Sequence, residues 1–212
     1  MRVYRHNDLE DFEAKVRWAA GQRDSARGTH GGRLPRILIV TESVFSMDGD
    51  LAPLREMVEL KDRHGAWLLL DEAHAVGLFG ERRTGLAEAF ELANRVEIHM
   101  GTLGKALGCA GGYVAGSRTL VDWLVNRARS FVFSTAPTPA QAESARAAVE
   151  LVAGDEGAAR ANALWALVDI AKNEFIRSGW APGLVRSAIL PLQIGGEAEA
   201  MTTSGALREA GW

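Results

Sequence analysis

Residues 67–74 constrain this chain more than any other stretch. The run Trp67-Leu68-Leu69-Leu70 breaks abruptly into Asp71-Glu72-Ala73-His74. A short apolar run ended by charge predicts a fully buried strand of a parallel sheet. Asp71 then falls at the carboxyl end of that strand, where open α/β sheets place their ligands. A second stretch, Gly101-Thr102-Leu103-Gly104-Lys105-Ala106-Leu107-Gly108, surrounds a lysine with glycines and small apolar residues. These surroundings predict a desolvated amine, which acts as a nucleophile toward carbonyls.

Taken singly, each of these residues has an ordinary explanation: a solvated lysine, an aspartate in a turn, a structural histidine. The combination points further. A carboxylate that partners a pyridinium nitrogen and a lysine that forms a Schiff base are the protein's share of pyridoxal phosphate chemistry. Two rival motifs fail on spacing. A phosphate loop around Gly104-Lys105 needs Gly at position 99 and Ser or Thr at 106, where the chain has His99 and Ala106. Zinc of the His-Glu-x-x-His type is likewise unsupported by Glu72 and His74, and no metal is expected.

The rest of the chain reads as strands alternating with helices, which predicts βαβ units and a mainly parallel sheet. A helix over 8–20, capped by Asp8, precedes a polar glycine-rich loop over 21–35 and a strand over 36–41. The turn around Asp48-Gly49-Asp50 follows that strand, and Pro53 opens a helix running to about Arg63. A short helix from Leu86 to Ala93 and a strand from Val96 to Met100 lead into the lysine segment. Gly111 to Gly116 reads as a further strand. Ser117 caps a helix through about Arg129, with Leu120, Trp123, Leu124 and Ala128 on its buried face. Phe131-Val132-Phe133 reads as a strand and Pro139 to Ala153 as a helix. Beyond a boundary near Gly154 come a helix from Ala158 to Arg177, an extended segment over Ser187 to Ile194, and a last helix from Glu197 to Ala210.

Composition narrows the function classes. A net charge of -3 makes no electrostatic case for nucleic acid or an anionic membrane. No apolar run approaches the roughly 18 residues of a membrane span, and the single cysteine, Cys109, cannot form an intrachain disulfide. A cytoplasmic protein is expected.

Four motifs occur in order: Thr41-Glu42-Ser43-Val44-Phe45-Ser46-Met47-Asp48-Gly49-Asp50, then 71–74, then 101–108, then Asn126 to Pro137. Together they resemble the α-oxoamine synthases, pyridoxal phosphate enzymes of the aspartate-aminotransferase fold. The resemblance implies an α/β fold: part of a large cofactor-binding domain over 1–154 with a mainly parallel central sheet, and part of a small α+β domain over 155–212. It implies pyridoxal 5'-phosphate as cofactor, with Lys105 bonded to it and Asp71 salt-bridged to its ring nitrogen. His74 and Ser46 match residues around the ring oxygen, and Thr102 matches a phosphate ligand. Ser134 and Thr135 match a segment that reaches the neighbouring subunit's site in a homodimer; the alternative for them is a cap of the helix after Pro137.

The reaction implied is a decarboxylative condensation of an amino acid with an acyl thioester. The stretch from Asn126 to Pro137 is most like the branch that uses alanine and a pimeloyl thioester. Sister enzymes that take glycine with acetyl or succinyl groups stay open, as does a non-catalytic fragment. The family's upstream phosphate loop, ring-stacking histidine and downstream carboxylate-binding arginine have no counterpart among these 212 residues.

Overall fold

The computed structural model describes residues 1–26, 34–180 and 185–212. Helix α1 (Leu9–Ser25) is followed by strand β1 (Leu38–Glu42), helix α2 (Leu54–Arg63), strand β2 (Trp67–Asp71) and the one-turn helix α3 (Leu86–Ala89). A 3-10 turn (Ala93–Arg95) leads to strands β3 (Ile98–Thr102) and β4 (Gly112–Gly116). Helices α4 (Arg118–Arg127), α5 (Arg129–Val132), α6 (Pro139–Ala153), α7 (Asp155–Arg177) and α8 (Glu197–Glu209) complete the chain.

The four strands form one sheet in the order β1-β2-β3-β4. The first three are parallel and β4 runs antiparallel to β3. This is the mainly parallel sheet expected from alternating strands and helices. Successive right-handed crossovers in one direction place their connections on the same side of a sheet. One cluster accordingly holds Ile39, Leu68 and Leu70 with Leu54, Met57 and Val58 of α2, Leu86 and Ala87 of α3, and Phe12 and Val16 of α1.

The expectation of a fully buried strand at 67–70 is corrected: β2 alternates, with Leu68 and Leu70 buried and Trp67 and Leu69 half-buried. On that second face Leu38, Val40 and Val114 are 51%, 58% and 44% exposed. Helix α4 carries the Ser117 cap but no buried residue, which corrects the buried face assigned to Leu120, Trp123, Leu124 and Ala128. Residues 131–133 do not form a strand. The N–H groups of Val132 and Phe133 donate to Ala128 and Arg129 carbonyls (2.9 and 3.0 Å), so α5 satisfies its own backbone where no neighbouring strand offers to.

Several boundaries shift. Helix α1 extends to Ser25, so the expected loop begins later; residues 27–33 of it lie outside the described residues. The helix expected over Leu86 to Ala93 is α3 and a separate 3-10 turn, parted by Glu91 at φ 60°. Pro53 is the cap residue of α2, one place before the helix. No strand forms over 187–194.

Arg83 ties the sheet's loops to the C-terminal helices. It is 9% exposed, with a left-handed backbone (φ 60°). Its guanidinium donates from Nε to the Val152 carbonyl (2.5 Å), from Nη2 to Gly154 (3.0 Å) and from Nη1 to Glu81 (2.8 Å). Val152 and Gly154 end helix α6, where the macrodipole favours a cation. Removing a buried charged donor from such carbonyls costs roughly 2–3 kcal/mol. Arg83→Ala is therefore expected to lower the urea midpoint clearly. Arg146→Ala, which removes only exposed pairs with Glu143 and Glu150, should leave it almost unmoved.

Candidate active site

The site is built on the carboxyl edge of the parallel strands. Asp71 ends β2 beside Glu42 of β1 and Met100 of β3. It is half-buried, and its Oδ1 accepts the N–H of Ala73 (2.8 Å), the bond that turns the chain toward His74. Its other carboxylate oxygen has no hydrogen-bond partner among the described residues.

Glu72 points the other way and is 2% exposed. Its two oxygens accept the N–H groups of Leu86 and Ala87 (both 2.9 Å), the first donors of α3. Gly85, at φ 138°, lies so close to this carboxylate that a side chain there would collide with it. Glu72 is thus a structural acceptor that closes the loop after Asp71. Its role escapes sequence reading because the partners are 14 and 15 residues away.

The lysine segment is a compact loop between β3 and β4. Leu103 N–H donates to the Gly111 carbonyl (2.9 Å), Cys109 N–H to Leu103 (2.7 Å) and Gly108 N–H to Lys105 (2.9 Å). The Thr102 hydroxyl donates to the Gly111 carbonyl (3.2 Å) and accepts the Gly104 N–H (3.1 Å). Leu107 is buried beneath it. Gly77, at φ 88°, meets Ala106 where a Cβ would stand, so this loop lies directly against the turn that holds His74.

Lys105 itself is exposed, which corrects the expectation of a desolvated amine. What sets it apart is the absence of a partner. The chain has four lysines. Lys15 pairs with Asp11 (2.6 Å), Lys61 with Glu97 and Asp62 (2.6 and 2.7 Å), and Lys172 donates to the Val185 carbonyl (2.9 Å). Among the described residues the Lys105 amine has no hydrogen bond or ion pair; only the backbone carbonyl of Lys105 is engaged, by the Gly108 N–H.

His74 is partly buried, and that burial holds its pKa below the ordinary histidine value. The Lys105 ammonium pushes it further down, while the carboxylates of Glu42 and Asp71 act in the opposite sense. Asp71, His74 and Lys105 thus share one site, with Thr102 at the foot of the lysine loop.

Ser46 sits exposed in the turn after β1. That turn is held from the far end of the chain, by the buried Ser187 hydroxyl on the Gly49 carbonyl (2.7 Å), a contact the sequence does not signal. Ser134 and Thr135 are exposed between α5 and α6 and make no hydrogen bond to the other site residues. They do not cap α6 either: Thr138 accepts the Gln141 N–H and forms a capping box with it, which corrects that alternative.

The residues present suit pyridoxal phosphate: an amine without a partner among the described residues, a carboxylate oxygen open to a ring nitrogen, and a histidine within electrostatic reach of both. As a phosphate ligand, Thr102 would turn its proton away from Gly111.

Comparison with known proteins gives the family. The sequence matches the aminotransferase class I and II family over residues 1–211. The chain belongs to that family, whose cofactor is pyridoxal phosphate. It is 48% identical over 209 residues to the 8-amino-7-oxononanoate synthase of Anaeromyxobacter dehalogenans (strain 2CP-1 / ATCC BAA-258), covering 99% of this chain and 49% of that protein. To the 8-amino-7-oxononanoate synthase of Bordetella petrii it is 41% identical over 211 residues, covering 100% and 50%. The chain spans about half the length of the curated relatives it matches. Among solved structures, a Sphingomonas wittichii serine palmitoyltransferase superposes with a TM-score of 0.74 at 29% identity, covering 88% of this chain and 43% of that one. The serine palmitoyltransferase of S. paucimobilis, solved with a bound PLP-myriocin aldimine, gives 0.71 at 28% identity, covering 84% and 41%. No helix among the described residues is long and apolar enough to cross a membrane.

His74 is expected to titrate below 6.5, and so to be mostly neutral at pH 7. Because burial favours the neutral ring, folding binds fewer protons here, and the His74 contribution to stability is lost as pH falls from 6.5 through its folded midpoint. Proton NMR of the ring measures that midpoint; a value at or above 6.5 would contradict the assignment.

Proposed function

We propose that this chain carries the lysine-bearing part of a pyridoxal-phosphate-dependent acyltransferase. The activity is the condensation of an amino acid with an acyl thioester, with loss of carbon dioxide. In its finer form the reading is L-alanine with a pimeloyl thioester, on coenzyme A or a carrier protein, giving 8-amino-7-oxononanoate for biotin synthesis. The observation that carries it is Lys105: the lysine whose amine has no partner among the described residues lies near enough to act on His74, as Asp71 does. The names of the relatives support the choice of substrates.

Pyridoxal phosphate, when bound, supplies an electron-withdrawing ring that accepts the electron pair left at the amino acid's Cα. The protein's part is to hold, orient and move protons. Lys105 Nζ, unpaired and exposed, is the amine able to bond to an aldehyde carbon. Once free of the cofactor, the same amine would be the base to take the Cα proton and to return it. Asp71, through its open oxygen, keeps a proton on the ring nitrogen. With the cofactor bound, His74 and Ser46 would serve the ring's oxygen and its surroundings, and Thr102 would take part of the phosphate. In the condensation Cα bonds to the acyl carbon, the carbon–sulfur bond breaks and the thiol departs. The bond from Cα to the carboxylate then releases carbon dioxide, and a proton is returned to Cα.

The same reading divides the chain into a cofactor-binding part over 1–154 and part of a small domain over 155–212. It makes the protein a cytoplasmic homodimer, with Ser134 and Thr135 serving the neighbouring subunit's phosphate site. A sister specificity, glycine with an acetyl or succinyl thioester, is tested by following thiol release with each substrate pair.

Two measurements test the assignment. Borohydride reduction in the presence of pyridoxal phosphate is expected to label Lys105, and peptide mapping that found the label on Lys15, Lys61 or Lys172 instead would overturn it. Asp71→Asn is expected to keep the label but slow condensation roughly 10²- to 10⁴-fold, equivalent to about 3–5 kcal/mol of barrier. Near-native turnover in that variant would remove Asp71 from the mechanism.

A further inference from the structure

The turn that carries Ser46 is pinned from both ends of the chain. It is closed on itself by the Gly49 N–H, which donates to the Phe45 carbonyl (2.9 Å), and by the Phe45 N–H on the Asp50 carbonyl (3.0 Å). On one side the Asp50 carboxylate accepts the Asn7 side-chain amide (2.6 Å) and lies 2.8 Å from Nε2 of His6. On the other side stands Ser187, 1% exposed and 138 positions along the chain from Gly49, whose carbonyl accepts its hydroxyl (2.7 Å). The same oxygen accepts the Ile189 N–H (3.1 Å), so one hydroxyl joins the 187–189 segment to the turn. Gly49 makes the contact possible: its backbone is left-handed (φ 65°), and a Cβ there would strike the Ile189 carbonyl. Gly49 is thereby buried, while Ser46, Met47 and Asp48 stay exposed. A buried hydroxyl contributes only about 1 kcal/mol net. What it adds is direction, because the bond forms only when the Gly49 carbonyl keeps one orientation. The Gly49 peptide closes the turn on Phe45, so that orientation also fixes the peptide leading into Ser46.

We propose that Ser187 is a positioning residue of this site: through Gly49 it holds the turn in the shape from which the Ser46 hydroxyl serves the oxygen side of a bound ring. The inference rests on the cofactor reading given above. It gives the C-terminal segment a part in cofactor binding without any contact to the cofactor. Asp71, at the other end of the site, is held by its place in the sheet and by the Ala73 N–H (2.8 Å), contacts in which Ser187 has no share. Loss of the Ser187 hydroxyl therefore acts on the Ser46 end and spares the Asp71 end.

A double-mutant cycle tests this, read as the dissociation constant of pyridoxal phosphate from the 212-residue chain. Ser187→Ala is expected to weaken binding about three- to tenfold, the worth of one hydrogen bond. Ser46→Ala should cost a similar factor, and the double variant little more than either, since both changes remove the same contact. In the Asp71→Asn background the Ser187→Ala loss should persist undiminished. Amide hydrogen exchange without cofactor reads the turn itself: Ser187→Ala should speed exchange at Gly49 and leave Ala73 and Cys109 unmoved. Losses that multiply in the Ser46→Ala background, or exchange that quickens at all three amides, overturn the proposal. The borohydride label separates the two ideas. A label on Lys105 with multiplied losses keeps the cofactor reading and removes Ser187. No label overturns the cofactor reading and the positioning role with it, and faster exchange at Gly49 alone then leaves Ser187 as a brace of the turn and nothing more.

Discussion

The buried carboxylate of Glu72 is the interaction on which the site depends. A carboxylate withdrawn from water must be compensated, and here two backbone N–H groups at the start of α3 do so. That requirement closes the excursion from the end of β2 to α3 and forces Asp71 and Glu72 to opposite sides of the backbone. Asp71 is thereby left at the sheet edge with one oxygen open. The Gly77 turn inside the same excursion then has room for Ala106, which seats the lysine loop. One buried acceptor thus links three site residues that no direct bond joins.

Much of this was legible in sequence, for reasons that are local. The Trp67 to Asp71 strand and the Asp8 and Ser117 caps are written in neighbouring residues, and the structure places each where those neighbours direct. What was not legible depends on contacts far along the chain. The 67–70 run looks the same whether one face or two are covered, and only the arrangement of helices shows that one side of β1 and β2 lies largely open. Phe131 to Phe133 has strand-forming side chains, but no strand lies beside it. Lys105 reads as desolvated from its small neighbours, although small neighbours also leave an amine uncovered. Arg83 and Ser187 carry no motif of their own; their meaning comes from Val152 and Gly49.

The two ends of the site are held with different firmness. Around Asp71 every turn is closed by backbone bonds within the sheet and by Glu72. Around Ser46 the turn leans on Ser187 and Ile189, which come from the far end of the chain and have no strand of their own. Loosening of that distant segment would reach Ser46 before it reached Asp71 or Lys105.

Strand order in this sheet equals chain order, and that bears on how the chain acquires its shape. Leu38 and Trp67, and likewise Leu69 and Ile98, are register partners 29 positions apart, so among the described residues no strand pairing waits for a remote segment. Contacts of modest separation close with little entropy loss and favour rapid folding. Each new strand joins the edge just formed, a sequence that suits a chain emerging from its N-terminus during synthesis. The lysine loop comes last in this order. Its bonds to Gly111 form only when β4 returns against β3, so the reactive amine takes its position after the edge it will serve has been assembled.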